Sequence, residues 1–184
     1  QDFAETWWEA LTAFQVDPAT TKVAVFHDDR QRVFGRTGRP PGQFAQVTLE
    51  ENLRNTREIA AAFAPLLTEP TRPIGGSGAQ VRFIACPAED VVDVATDAAV
   101  SLLDGGWDAH HVALLTTKHR HPVQVEQQSA GQDEYWANFW TGDDMFYGTV
   151  TGFKGLERPA VVLAVDGFHT GIDPDEVLYC GMSR

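Results

Sequence analysis

Residues 149–167, "TVTGFKGLERPAVVLAVDG", set a cation, a glycine and a carboxylate (Lys154, Gly155 and Glu157) between two apolar runs. A charged glycine turn between two buried strands is a natural ligand-facing element, because glycine lets the backbone approach a bound group closely. The plain alternative is a surface ion pair between Lys154 and Glu157 of little energetic consequence. Arg30, Arg32, Arg36 and Arg39 fall within ten residues, a basic edge for an anionic partner or a solvated loop. Phe34 lies among them and is either a core ring or one that stacks on a nucleic-acid base. Lys118, His119 and Arg120 directly follow an apolar run and are placed to touch a phosphate backbone. Arg54 has Glu50 and Glu58 as local ion-pair partners, and Asn52 is a candidate helix cap. The six histidines show no zinc-ligand spacing, and Cys86 and Cys180 sit apart in apolar runs, so buried free thiols and no structural zinc are expected.

The elements that must position these residues alternate. Residues 3–14 carry Trp7, Leu11 and Phe14 at helical spacing. A β-rich run spans 22–27, a glycine- and proline-rich loop 35–42, a short strand 47–49, and a helix about 52–67. A second breaker loop covers 69–78, a strand 80–86, and a helix 89–103 that stops at Gly105-Gly106. Strands follow at 111–117, 145–153 and 159–165, with a helix beginning near Pro174; residues 118–140 carry no clear signal. Strands alternating with helices, several of them continuously apolar, predict a parallel α/β sheet covered on both faces. In such sheets ligands bind at the carboxyl ends of the strands, which again selects the polar residues placed directly after apolar runs.

Composition narrows the classes. A chain of 184 residues with 43% hydrophobic content and five tryptophans supports a packed core. No apolar stretch is long enough to span a bilayer, so no membrane association is expected. Two cysteines suit a reducing cytoplasm. The net charge of −12 argues against a chain coated for nucleic acid, but it divides into −1 over residues 1–57 and −11 over residues 58–184.

Five segments, in order, resemble the superfamily-one DNA helicases of the UvrD/Rep type. Gln1-Asp2-Phe3 matches the end of an Asp-Glu-x-x-Gln-Asp motif. "VFHDDRQRVF" (25–34) is similar to Gly-Asp-x-x-Gln-x-hydrophobic-Tyr, with His27 and Phe34 as departures. "LEENLRNTREI" (49–59) resembles Leu-x-x-Asn-x-Arg-x-Thr-x-x-Ile, and 149–165 resembles Thr-x-x-x-x-Lys-Gly-Leu-Glu with its following strand. "LYCGMSR" (178–184) resembles Leu-Tyr-Val-Gly-x-Ser/Thr-Arg.

The resemblance implies a RecA-like parallel sheet, with residues 1–45 as the end of a first motor domain and 46–184 as most of a second. It implies ATP hydrolysis coupled to 3′-to-5′ movement on single-stranded DNA, in a cytoplasmic, DNA-repair setting. Arg54, Arg184 and Gln31 would be catalytic, the arginines meeting charge on the transferring phosphoryl group and Gln31 sensing the terminal phosphate. Gln1, Lys154, Gly155 and Glu157 would bind ATP, Glu157 through a ribose hydroxyl. Phe34, Arg32, Arg36, Lys118, Thr149 and Thr151 would line the DNA track. These residues contain no Gly-x-x-x-x-Gly-Lys-Ser/Thr loop and no magnesium-binding Asp-Glu pair in context. The phosphate cradle and the Mg2+ ligands are therefore expected upstream, on the first RecA-like domain, with no metal site in this piece. A helicase-like binding or regulatory module without ATPase activity is the alternative, and an ordinary doubly wound nucleotide-binding enzyme a third.

Overall fold

The computed structural model describes residues 3–17, 20–34 and 38–184. Its centre is β3 (Val112–Thr116), every residue of which is buried. β4 (Phe146–Thr149) and β5 (Ala160–Ala164) flank it, both parallel, in the order β4-β3-β5. Leu114 stands opposite Tyr147 on one side and Val162 on the other. Alternation along β3 divides the core by face. Ala113 and Leu115 join an aromatic cluster with Tyr135, Phe139, Phe146 and Phe153, while Val112 and Leu114 pack with Ala95, Ala99 and Met145. Helix α3 (Val91–Asp104) covers the second face; α5 (Gln132–Thr141) and α6 (Pro174–Met182) cover the first. The molecule is thus mixed α/β, with small parallel sheets flanked by helices.

The sheet is smaller than the sequence predicts. Residues 22–27 and 80–86 enter no ladder; both are β-prone, but Phe26, Phe83 and Ile84 are exposed, because propensity without a partner strand does not make a sheet. The strand expected at 47–49 lies instead at β1 (Glu51–Asn52), paired in parallel with β2 (Arg72–Pro73) inside the stretch read as a breaker loop. Arg72 N–H donates to the Glu50 carbonyl at 2.7 Å and Ile74 N–H to that of Asn52 at 3.0 Å, leaving Pro73, which has no N–H, between the two bonds. Cys180 is buried as expected, whereas Cys86 is only half-buried.

Helix α1 is shorter than expected (Trp7–Ala13) and buries no residue. Helix α2 (Arg57–Phe63) begins later than expected and runs into a 3-10 turn, Ala64–Leu66, where Pro65 fits an opening turn. The unassigned stretch 118–140 forms α4 (Pro122–Ala130) and α5, separated by Gly131 at φ +142°. His121 starts α4: its Nδ1 accepts from Val123 N–H at 3.2 Å, its Nε2 lies 3.1 Å from the Thr96 hydroxyl, and its ring lies 4.6 Å from that of Tyr147. Burial therefore pulls His121 below the usual histidine value, against the opposing pull of Asp93.

Phe153 is 1% exposed and meets both Phe139 (5.8 Å) and Phe146 (5.7 Å). Phe153→Ala is expected to cost about 4 kcal/mol, measured by urea unfolding. A cost under about 1 kcal/mol would mean that the aromatic cluster does not hold the turn after β4.

Candidate functional site

The turn after β4 is built from its own backbone. Thr149 Oγ1 accepts from Gly152 N–H at 3.2 Å, and Phe153 N–H donates to the Thr149 carbonyl at 2.9 Å. Leu156 N–H then closes on the Phe153 carbonyl at 3.0 Å, across Gly155 at φ +88°. That left-handed conformation is one that only glycine adopts without strain. Val150 and Phe153 are buried beneath the turn, which fixes Lys154 and Glu157 relative to the sheet. The expected strand to residue 153 accordingly ends at Thr149, whose hydroxyl lies 3.2 Å from that of Thr151.

Lys154 and Glu157 reach two different parts of the chain. The Lys154 ammonium donates to the Gln31 carbonyl and stands 5.9 Å from the centre of the Phe34 ring. Glu157 Oε2 lies 3.0 Å from Arg54 Nε, an exposed pair worth at most about 1 kcal/mol to stability. Arg54 sits in a tight turn between β1 and α2. There Asn52 Oδ1 accepts from Asn55 N–H at 3.1 Å, and Thr56, not Asn52, caps the helix by accepting from Ile59 N–H at 3.3 Å.

Gln31 ends a 3-10 turn, Asp29–Gln31, that Asp28 opens by accepting from Arg30 N–H at 3.0 Å. The other Asp28 oxygen accepts from Gln31 Nε2 at 2.8 Å and from the Tyr179 hydroxyl at 3.1 Å. Burial, reinforced by the Asp28 charge, pushes Tyr179 up to about 12. Gln31 Oε1 accepts from the Arg184 guanidinium, whose Nε donates to the Cys180 carbonyl at 3.2 Å. One glutamine thus takes a cation on its backbone oxygen and another on its side chain. Arg184 is 9% exposed. Around this junction Arg30 donates to the Leu66 carbonyl at 2.7 Å and Arg32 pairs with Asp29. The Nε groups of both arginines are buried without a protein partner. Glu176 is raised by burial and by Asp173, although Arg32, Arg30 and Lys154 pull the other way.

A second polar cluster joins the loops after β3 and β5. Asp166, whose side chain is 7% exposed, accepts from the N–H groups of Thr117 (3.0 Å), Lys118 (2.8 Å) and His119 (2.8 Å). The Thr117 hydroxyl lies 3.1 Å from the same carboxylate and His119 Nδ1 3.0 Å. Gly167, at φ +109°, faces the Lys118 stem, and Thr117 Oγ1 donates to its carbonyl at 2.7 Å. Burial pushes the Asp166 carboxyl up, but the N–H groups of His119 and Lys118 and the Thr117 hydroxyl outweigh it, so it is held below the usual carboxylate value.

Gln31, Phe34, Lys154 and Arg184 therefore meet, Arg54 and Glu157 meet beside them through the same turn, and Lys118 belongs to the Asp166 cluster. Thr149 and Thr151 lie at the head of the turn. Gln1 and Arg36 fall outside the described residues. Asp28 and Thr117 fall in polar stretches that sequence reasoning placed after strands without giving either residue a role, whereas Tyr179 and Asp166 were missed. For Asp166 the signal was present, since it directly follows the apolar run 159–165. Comparison with models of protein families, with curated proteins and with solved structures returned no significant match.

Asp166→Asn keeps the shape but puts an amide where three N–H donors converge. It is expected to lower stability by about 2 kcal/mol at pH 7. A carboxylate with a depressed native pKa contributes fully above its unfolded value, and loses that contribution as the pH falls through the native one. The deficit of the variant should therefore shrink below about pH 4, as read from urea midpoints between pH 7 and pH 3. A deficit independent of pH would assign the loss to shape alone.

Proposed function

We propose that this chain supplies the cation-bearing half of an ATP site and part of a single-stranded DNA track in a superfamily-one helicase. The observation that carries the reading is convergence. Gln31, Arg54, Lys154, Glu157 and Arg184 come from four separated stretches and gather around the one glycine turn after β4. The motif resemblance selects the same five residues. A RecA-like second motor domain fits the parallel order β4-β3-β5 with helices on both faces.

In this reading Arg54 and Arg184 stabilise charge on the transferring phosphoryl group, since each presents a planar fork of donors that stays charged. Gln31 couples that charge to Lys154, and Phe34 with Lys118, Thr149 and Thr151 contacts DNA. ATP and its Mg2+ need a phosphate cradle and carboxylate ligands, which the proposal assigns to a partner motor domain. Arg32, paired with Asp29, is available to DNA only if that pair opens. The alternative of a module without ATPase activity draws on Arg184: its bonds to Cys180 and Gln31 also serve as an internal clamp closing the end of α6.

The 184-residue chain alone is expected to show no magnesium-dependent ATP hydrolysis; measurable turnover would overturn this division of labour. In a protein joining these residues to a phosphate-loop domain, Arg54→Lys is expected to lower kcat for DNA-stimulated ATP hydrolysis about a hundredfold or more. Lysine keeps the charge and loses the fork, so the fold and nucleotide-free DNA binding should be unchanged. Hydrolysis at the wild-type rate by a folded Arg54→Lys protein would remove the catalytic role and leave Arg54 a structural residue of the turn before α2, paired with Glu157.

A further inference from the structure

The amino-terminal approach to β3 carries a cluster that none of the residues above uses. Helix α3 stops at Gly105-Gly106, and after Trp107 the chain enters a 3-10 turn, Ala109–His111, that leads directly into β3. His111 N–H donates to the Asp108 carbonyl at 2.9 Å and closes the turn. Within it Asp108, His110 and His111 each present one ligand atom, and all three atoms lie within 4.8 Å of one another. His111 Nδ1 stands 3.8 Å from Asp108 Oδ2, and the two imidazole rings lie 3.9 Å apart, tilted by 51°. Both histidines are half-buried and Asp108 is exposed. Neither imidazole has a hydrogen-bond partner among the described residues, and only His111 stands beside Asp108.

We propose that Asp108, His110 and His111 bind a divalent transition-metal ion such as Zn2+, with the remaining positions open to water or to a donor from another molecule. Two imidazoles and one carboxylate suit Zn2+, Ni2+, Cu2+ or Co2+, whereas Mg2+ and Ca2+ prefer oxygen alone. Ligands about 2.1 Å from a tetrahedral ion stand about 3.4 Å from one another. From a limit of 4.8 Å, that spacing asks the ligand atoms to close by at most about 1.4 Å, a distance that side-chain rotation spans. The backbone is held already, since the turn is closed by its own hydrogen bond and runs into a fully buried strand. The site lies at the amino end of β3, whereas the Asp166 cluster lies at the carboxyl ends of β3 and β5. It therefore tethers the α3–β3 connection, or an outside donor, and takes no part in the ATP chemistry proposed above. The sequence did not show it because ligands at 108, 110 and 111 follow no zinc-motif spacing.

The test titrates the whole 184-residue chain with ZnCl2 by calorimetry and with CoCl2 by visible absorption. One equivalent is expected to bind, with cobalt d–d bands, and millimolar MgCl2 should not compete. His110→Ala and His111→Ala should each weaken Zn2+ binding about tenfold or more, Asp108→Asn should weaken it less, and His169→Ala should bind as wild type. Far-UV circular dichroism of the metal-free variants checks the fold. Pulsed EPR of the Cu2+-loaded wild-type chain identifies two equatorial imidazoles without any substitution. No saturable binding, displacement by Mg2+, wild-type affinity in either histidine variant, or a Cu2+ signal without two imidazoles would each overturn the proposal.

Discussion

Five consecutive residues of β3 are out of reach of water, so each of their backbone polar groups must be satisfied by another strand. This demand organises the molecule. It requires a partner on both sides, met by β4 and β5 in parallel. Parallel pairing in turn requires a long crossover connection, and the one from β3 to β4 supplies α4 and α5, while α3 before β3 and α6 after β5 complete the cover of the two faces. The side chains of β3 then divide the apolar material between an aromatic layer and a smaller aliphatic one.

Where β3 ends, the demand does not. The Thr117 N–H is shared between the Ala164 carbonyl at the end of β5 and the Asp166 carboxylate, which alone takes the N–H groups of the two residues after it. A charge accommodated in this way stays ionised despite its burial, so the loops after β3 and β5 behave as one unit. The turn after β4 solves the same problem differently, with Thr149 and a left-handed glycine. Its freed side chains reach outward to Gln31 and Arg54. The segment containing residues 28–34 is in this way bound to the sheet through Gln31, Asp28 and the buried Val33.

Legibility followed the source of each signal. Val112–Thr116, fully buried, and Ala160–Ala164, largely half-buried, could be read because a central or face-covered parallel strand is an almost continuous apolar run. Residues 22–27 and 80–86 carry a similar local preference, yet pairing depends on a neighbour that the local sequence does not encode. Helix α4 escaped because His121 is not a common cap, whereas for α5 the signals were present, a glycine cap at Gly131 and Trp136, Phe139 and Trp140 at i, i+3, i+4 spacing. The candidate site was legible as residue types placed after strands. Its internal wiring was not: the Asp28–Tyr179 bond joins residues 151 positions apart, and no spacing rule reaches that far.

The modest sheet has a colloidal consequence. β4 and β5 each leave an outer edge without a ladder partner among the described residues, and elsewhere in the sequence run exposed β-prone stretches bearing Val23, Phe26, Phe83 and Ile84. Such edges template intermolecular strand pairing unless something opposes approach. Here the opposition is repulsion between copies that each carry −12. Solubility is consequently tied to ionic strength and acidity: salt shortens the range of that repulsion, and pH near the isoelectric point of about 4.7 removes it.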